Sequence, residues 1–293
     1  MITAADKKTR TGRRGRGKKE ERSPPAGGLY GLNPVEAALA AARRKLVSLA
    51  IKDGGLSPRL RKVWELAQGR GIPVEFLPSR ELEARCGSPN HQGVVLRCGA
   101  LPMAGSDAAL NIDPGGDALL VALDQVEDPR NLGAVVRSAA AFGASGLVLH
   151  RDRSAPLSAA ASNASAGALE TFPVFQAPNL ARFLAQARKR GFWVCGAVAG
   201  DYAPGNYAPG NSVAGNYAAG NSVAGDPEVT PLPAFALDGA RVLVLGSEGR
   251  GLRPLVRSHC DVLLTIPLPG GGAMNSLNVS AAAAVLLYEM TRK

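Results

Sequence analysis

The chain has 293 residues, 46% of them apolar, so it can bury a substantial core, and its length favours two domains over one. Its formal charge of +10 and its pI near 9.8 suggest a polyanionic partner such as nucleic acid. The sequence contains no run of about 18 apolar residues, so no membrane span is predicted. The charged N-terminus is not followed by the apolar stretch of a signal peptide. The four cysteines are scattered and only three histidines accompany them, which argues against a zinc site. We therefore expect a cytoplasmic protein with free thiols and no bound metal.

The N-terminal 28 residues form a basic segment. Nine Lys and Arg residues there outweigh three acidic residues, so this segment carries +6 of the total charge. A basic segment with few apolar residues stays disordered and attracts polyanions by releasing counterions. We predict a disordered basic arm over residues 1–28, although a solubility tail or an overextended start site explains the same composition.

Residues 29–100 have the pattern of a small α/β domain. Asn33 before Pro34, and Ser57 before Pro58, are the cap-then-proline signals that begin helices. These helices would run to Ala42 and Gly69, and the remaining predicted elements are strands at Lys45–Ile51, Pro73–Leu77 and Val94–Cys98 and a helix near Arg80–Arg85. His91 lies at the start of a strand, where a structural or turn histidine is at least as good an interpretation as an RNA contact, so no chemistry is assigned to it.

A set of basic side chains in this domain has two interpretations. They form either an RNA-binding face or an ordinary solvated face, and they are Arg43, Arg44, Lys45, Arg59, Arg61 and Lys62.

A Gly-, Pro- and Asp-containing stretch over residues 101–117 predicts a linker to a second domain at 118–293. In that domain nearly continuous apolar strands alternate with helical patterns. The predicted strands are Leu119–Leu123, Gly146–Leu149, Phe192–Val198, Val242–Leu245 and Val262–Ile266, and the predicted helices are Ala134–Phe142, Leu180–Arg190, Leu252–Ser258 and Val279–Met290. This alternation indicates a parallel sheet covered on both faces.

Five tandem pentapeptides interrupt the second domain at residues 201–225. Their repeated Gly, Asn and Pro favour turns over a packed core, so we predict an expanded surface loop.

Three clusters of polar residues and glycines follow predicted strands. In the first, Asn131 lies at a strand-to-helix turn, Gly133 would let the backbone approach a ligand, and Arg137 lies about four residues into the helix. Open α/β sheets bind ligands at the carboxyl ends of their strands. A cap, a turn and a solvated arginine would account for the same residues.

The second cluster begins at Gly246 and contains a single carboxylate, Glu248, in a G-x-x-G-x-G pattern. This spacing differs from the G-x-G-x-x-G of dinucleotide-binding loops, and no G-K-[ST] follows it. A nicotinamide site and a phosphate-binding P-loop are therefore not expected.

The third cluster runs from Ile266 to a final Ala-rich helix. Its prolines stop strand pairing, its glycines at 270–272 permit an unusual chain path, and Ser276 and Asn278 would cap the helix while facing a ligand. A Gly-rich loop before a capped helix is the simpler interpretation.

Together, N-x-G-x-x-x-R, G-x-E-G-x-G and I-P-L…S-L-N-V-S resemble the SpoU/TrmH family of RNA 2′-O-methyltransferases from about Leu119 to the C-terminus, apart from the pentapeptide insert. The resemblance implies a trefoil-knotted parallel-sheet methyltransferase domain of the SPOUT class, S-adenosylmethionine as the cofactor and a homodimer. The motifs Tyr30–Glu36 and His91–Val94 resemble the ribosomal-protein-like substrate domain of the branch that methylates a guanosine of large-subunit (23S) rRNA. A tRNA ribose is the alternative substrate.

The resemblance also assigns residues to roles. Backbone groups of Gly246, Ile266, Leu268 and Leu277 would hold the cofactor near Met274, in a loop about two residues longer than the family form. The polar catalytic positions would be filled by Arg137, Asn131, Glu248, Ser276 and Asn278.

Arg137 is the proposed catalytic arginine of the family. A guanidinium is a poor base at neutral pH, so we expect Arg137 to bind the substrate phosphate and stabilise the developing alkoxide, with Asn131 and Glu248 orienting it. Two rival functions remain: a catalytically inactive RNA-binding ribosome-assembly factor, and a small-molecule enzyme on an ordinary dinucleotide fold.

Overall fold

The structure, a computed structural model, describes residues 28–113, 116–199, 229–232, 238–268 and 276–292. The predicted basic arm, apart from its last residue, and the pentapeptide insert lie outside the described residues, as does Met274. Two sheets organise the described chain: a four-stranded sheet in the N-terminal part and an eight-stranded sheet in the C-terminal part.

The N-terminal sheet has the strand order β1-β4-β2-β3. Its strands are β1 (Gly28–Tyr30), β2 (Leu46–Lys52), β3 (Val74–Leu77) and β4 (Val94–Cys98), and its helices are α1 (Leu32–Ala41), α2 (Pro58–Gly69) and α3 (Ser79–Cys86). The β2–β3 pair is parallel, whereas β4 runs antiparallel to both β1 and β2. Helices α1 and α2 cover one face with the larger apolar core, and α3 covers the other with a small cluster around Ala50, Leu82 and Val95.

The two predicted helix starts in this domain have different outcomes. Ser57 caps α2 as expected, because its hydroxyl accepts a hydrogen bond from the Leu60 amide at 3.3 Å. The Asn33 cap is wrong: α1 already begins at Leu32, and the Asn33 side chain instead accepts a hydrogen bond from Arg59 at 2.5 Å. The long-range partner was not visible in the local pattern.

The C-terminal sheet has the strand order β10-β12-β9-β11-β6-β7-β8-β5, and every pairing within it is parallel. The strands are β5 (Ala104–Gly105), β6 (Leu119–Asp124), β7 (Gly146–His150), β8 (Val174–Ala177), β9 (Trp193–Ala197), β10 (Val229–Pro231), β11 (Arg241–Gly246) and β12 (Val262–Thr265). The helices are α4 (Ser106–Ala109), α5 (Pro129–Ala141), α6 (Ala159–Ala164), α7 (Leu180–Lys189), α8 (Pro254–Arg257) and α9 (Val279–Thr291). Apolar cores lie on both faces of the sheet, so the predicted parallel, doubly covered sheet is confirmed. The trefoil knot remains a prediction of the family resemblance.

Several short elements of the fold were not predicted from the sequence. The predicted linker contains α4 and β5, and β5 pairs with β8 at one end of the large sheet. Helix α6, the 3₁₀ turn Ala168–Glu170 and β8 were not predicted either. Segments of two to six residues carry too few apolar positions for a period to be visible.

The small domain packs directly on the large one. Helix α1 contacts both α6 and the 3₁₀ turn, and Ala159 of α6 packs against the core of the small domain. Arg44 lies in this contact, where it is only 6% exposed, and Arg43 donates to the Phe172 carbonyl at 2.7 Å. For Arg44 both sequence interpretations were wrong, because its side chain is buried between the domains, and the half-buried Arg43 adds one hydrogen bond to the same contact.

Candidate active site

The three clusters meet at one edge of the large sheet. Strands β6, β11 and β12 are parallel members of the same sheet, so their carboxyl ends at Asp124, Gly246 and Thr265 face the same side. The loops that follow these strands lead to the start of α5, to the glycine-rich turn and to the start of α9. This is the edge at which open α/β sheets bind ligands.

A three-residue hydrogen-bond network joins the clusters. The amide of Asn131 donates to Oε1 of Glu248 at 2.8 Å, and the amide of Asn278 donates to the same oxygen. The Asn278 amide also lies 3.2 Å from Oδ1 of Asn131. Oε1 of Glu248 is therefore held by two amides, while Oε2 accepts no hydrogen bond from the described residues.

Asn278 has a second task, since it is the N-cap of α9. Its Oδ1 accepts hydrogen bonds from the backbone amide of Ser280 at 2.9 Å and from the Ser280 hydroxyl at 2.6 Å. The cap predicted for Asn278 is confirmed, whereas Ser276 lies before the helix and does not cap it. Because its carbonyl is engaged in the cap, the Asn278 amide is fixed towards Glu248.

A cavity of about 690 Å³ adjoins this network. Most of its lining side chains are apolar, and the predicted residues Gly246, Glu248, Ile266, Leu268, Ser276 and Leu277 all line it. Glu248 therefore belongs both to the cavity wall and to the network. A cavity of this size, lined by apolar side chains together with several polar ones, can hold a nucleoside-sized ligand.

Arg137 stands apart from the network. It is the ninth residue of α5, further along the helix than expected, and it is exposed. Its side chain forms no hydrogen bond or ion pair with any described residue. At 100° per residue, the six positions between Asn131 and Arg137 turn the arginine about 120° around the helix from the asparagine. The orienting contacts expected from Asn131 and Glu248 to Arg137 are thus not present in the single chain.

Gly133 serves packing between helices instead of the ligand approach that the sequence suggested. A Cβ there would lie 2.3 Å from the Ala161 carbonyl oxygen and 2.6 Å from the Ala164 Cβ, so only glycine lets α5 and α6 come this close. Gly246 behaves similarly, because a Cβ there would lie 2.3 Å from the Gly251 carbonyl carbon. The turn that carries Glu248 therefore folds back tightly on its own strand.

An ion pair that was not predicted from the sequence supports this turn. Asp124 is fully buried at the end of β6, and its carboxylate accepts from Nε of Arg253 at 2.7 Å and from the Arg253 backbone amide at 2.9 Å. Two hydrogen bonds to one carboxylate fix the chain that follows the glycine-rich turn. An aspartate ending an otherwise apolar strand was the available signal.

His150 lies close to this pair, at the end of β7. Burial, followed by the positive charges of Arg253 and Arg153, lowers the pKa of His150. The imidazole is therefore neutral at pH 7 and adds no charge to this edge of the sheet.

The remaining predicted groups have structural roles. His91 is 5% exposed; its Nδ1 accepts from the Gly93 amide at 3.0 Å and its Nε2 lies 3.1 Å from the Ser79 hydroxyl, so both ring nitrogens are occupied. Burial raises the pKa of Cys195 and of Cys260 to about 12. Within the described ranges, no group of His, Cys, Asp and Glu side chains could hold a metal ion, and no helix is long and apolar enough to cross a membrane.

A parallel sheet covered on both faces, with a nucleoside-sized cavity and a polar network at its carboxyl edge, defines an α/β protein that binds its ligand at the ends of its strands. Comparison with known proteins identifies the family. The SpoU rRNA methylase family matches residues 118–288, and the RNA 2′-O ribose methyltransferase substrate-binding domain matches residues 29–104. The chain belongs to the SpoU rRNA methylase family.

Similar proteins cover nearly the whole chain. The 23S rRNA (guanosine-2′-O-)-methyltransferase RlmB of Xylella fastidiosa is 35% identical over 90% of this chain and 96% of its own length, and RlmB of Acinetobacter baylyi is 36% identical over the same shares. The AdoMet-bound rRNA methyltransferase of Sinorhizobium meliloti has a TM-score of 0.68, with 23% identity over 91% of this chain and 87% of its own. That structure supports the fold of both domains.

Proposed function

We propose that the protein transfers a methyl group from S-adenosylmethionine to the ribose 2′-hydroxyl of a guanosine in 23S rRNA. The observation that carries the proposal is the Asn131–Glu248–Asn278 network at the wall of a nucleoside-sized cavity. The sequence identity of 35–36% to RlmB proteins, over 90% of the chain, supports rRNA as the substrate. Such a substrate would place the protein in the cytoplasm, where ribosomes assemble.

The residues of the cavity fit S-adenosylmethionine. Partly exposed apolar side chains, Ile266, Leu268 and Leu277, line the cavity and would face the adenine ring, and the glycine-rich turn contributes Gly246, Gly249 and Gly251 to the lining. The residues that would hold the cofactor are Gly246, Ile266, Leu268 and Leu277. When bound, the cofactor supplies a methyl group activated on a positively charged sulfur.

The chain must align the ribose hydroxyl and stabilise the charge that develops on its oxygen as the proton leaves. Arg137 is permanently cationic and unpaired within the described residues, so it is available for a substrate phosphate and for the developing alkoxide. Oε2 of Glu248 is open to accept a hydrogen bond from the substrate, and the Ser276 hydroxyl lies at the same cavity wall.

A homodimer would complete this site. Val285 and Tyr288 of α9 are 40% and 53% exposed, and the Tyr288 ring contacts Phe142 at the end of α5, with centroids 6.0 Å apart. Ala141 is exposed one turn from Arg137 on the same face of α5. We propose that a second copy covers this apolar surface and brings Arg137 next to groups of its partner.

Ribose-methylation mapping of rRNA and tRNA from cells with and without the gene tests the proposal. Loss of one 2′-O-methylguanosine in 23S rRNA, restored by the wild-type gene but not by Arg137→Ala, is the expected result. Loss of a tRNA mark instead would refute the substrate, and an unchanged set of marks would favour an RNA-binding assembly factor without catalytic activity.

A further inference from the structure

A buried ion pair joins the two domains. Arg44, just after α1, donates from Nε to Oε2 of Glu170 at 2.7 Å and from Nη2 to Oε1 at 3.0 Å. The two side chains are 5% and 1% exposed, so solvent does not weaken the pair. The planar guanidinium and the carboxylate meet through two parallel hydrogen bonds, which fixes orientation as well as distance.

Neighbouring groups satisfy the rest of the pair. The Ser162 hydroxyl donates to Oε1 of Glu170 at 2.6 Å, and Nη1 of Arg44 donates to the Gly99 carbonyl at 3.2 Å. A buried charge pair is costly to desolvate and adds little to stability compared with apolar packing of the same volume. The hydrogen bonds of the pair are directional, however, so they permit only one arrangement of the two domains, whereas apolar packing is non-directional and would let the domain surfaces slide past each other.

The same elements touch the helix that carries the candidate catalytic residues. Ser162 belongs to α6, and α6 packs against α5 so closely that Gly133 meets the backbone of Ala161 and Ser165. Arg137 lies one turn beyond Gly133 on the same face of α5, about 6 Å along the axis. Helix α6 is therefore held between the small domain and the face of α5 from which Arg137 projects.

We propose that Arg44 and Glu170 are positioning residues that hold the small domain in one orientation against α6, and so determine which ribose of an RNA bound to that domain reaches Arg137. The proposal rests on the proposed function, because it requires that the small domain binds the RNA. In this view the two domains act as one rigid body, and the ion pair determines which nucleotide is methylated without contacting that nucleotide.

Replacing the whole polar group by apolar residues tests the proposal without leaving a charge buried. The variant Arg44→Met/Ser162→Ala/Glu170→Leu keeps similar volumes, and we expect it to unfold cooperatively and to bind S-adenosylhomocysteine and RNA with dissociation constants within threefold of wild type. Its single-turnover rate on 23S rRNA from cells lacking the gene should fall at least tenfold, with a larger share of methyl groups on neighbouring riboses.

Arg44→Lys is the second variant, since it keeps the charge but loses the two-pronged contact, and it should show a smaller change in the same direction. Arg188→Met is the matched control, because Arg188 pairs with Asp261 at 2.7 Å within the large domain, away from the contact between the domains. The proposal would be overturned by a folded triple variant that methylates the same nucleotide at the wild-type rate. If the triple variant does not fold, the same result with Arg44→Lys would overturn it. Failure of the wild-type enzyme itself to methylate the rRNA would instead refute the proposed function.

Discussion

The side-chain amide of Asn131 donates a 2.8 Å hydrogen bond to the carboxylate of Glu248, which lies 117 residues away in the chain. The bond ties the first turn of α5 to the turn after β11, and Asn278 adds the start of α9 to the same oxygen. Three loops that leave one edge of the sheet are thereby held as a unit. The network is exposed enough to meet a substrate and sufficiently connected to keep its groups in place.

Removing Asn131 should lower activity more than stability. Asn131→Ala takes one of the two amide donors from Glu248, and losing a positioned polar group at a site costs about 10²-fold in rate. The single-turnover rate should fall by about that factor, and adding Asn278→Ser, which keeps a helix-capping side chain, should lower it by less than the product of the two single effects. Strictly multiplicative losses would show that the three residues do not act together.

Arg137 should be needed for the reaction and not for the fold. Arg137→Ala and Arg137→Lys remove an exposed guanidinium that has no partner in the described chain, so the free energy of unfolding should change by less than about 0.5 kcal/mol. The single-turnover rate should fall by at least about 10²-fold, because lysine cannot form a two-pronged contact with phosphate. Arg182→Ala, at another exposed helix position, is the control. A lysine variant with a nearly normal rate would exclude both roles proposed for Arg137.

Gly133→Ala should destabilise the protein although alanine favours helices. Helix propensity alone would stabilise the variant by about 1 kcal/mol. The new Cβ would lie 2.3 Å from the Ala161 carbonyl oxygen, so α5 and α6 must separate, which costs about 1–3 kcal/mol or more. Thermal unfolding should therefore begin at a lower temperature, whereas Gly69→Ala in α2, with open space around it, should be neutral or stabilising. Equal melting temperatures for Gly133→Ala and wild type would contradict the observed packing.

Stability should fall as the pH rises above 9. The thiols of Cys195 and Cys260 have a usual pKa of 9.0 and a pKa of about 12 in the folded protein, mainly because of burial. Between these values the unfolded chain loses protons that the folded protein keeps, so the contribution is complete below pH 9 and is lost towards pH 12. At pH 10 the loss is about 1.4 kcal/mol for each thiol, relative to pH 7.

Urea unfolding at pH 7 and pH 10 measures this effect. The double variant Cys195→Ala/Cys260→Ala will be less stable at both pH values, because it removes buried atoms, but its loss between the two should be smaller by the amount assigned to the thiols. The same pH dependence in both proteins would show that other groups are responsible.

The sequence by itself determined the class of the fold. Apolar runs such as Leu119–Leu123 and Val242–Leu245, alternating with helical patterns, were sufficient to predict a parallel sheet, because burial on both faces requires apolar side chains at every position. Ser57 was likewise predictable as a cap, because its hydroxyl accepts a hydrogen bond from the backbone amide of Leu60, only three residues further along the chain. The candidate site residues were found through their local motifs and the family resemblance that these carry.

Tertiary structure alone decided which of these residues meet. Asn131, Glu248 and Asn278 come together only because β6 and β11 are neighbours in the sheet and α9 returns to the same edge. The propensities of individual residues do not predict which strands become neighbours. For the same reason Gly133 serves a helix crossing instead of a ligand, and Arg44 is buried against Glu170 instead of facing RNA. Contacts between residues far apart in the chain depend on how whole elements pack, and a local sequence pattern holds no information about that packing.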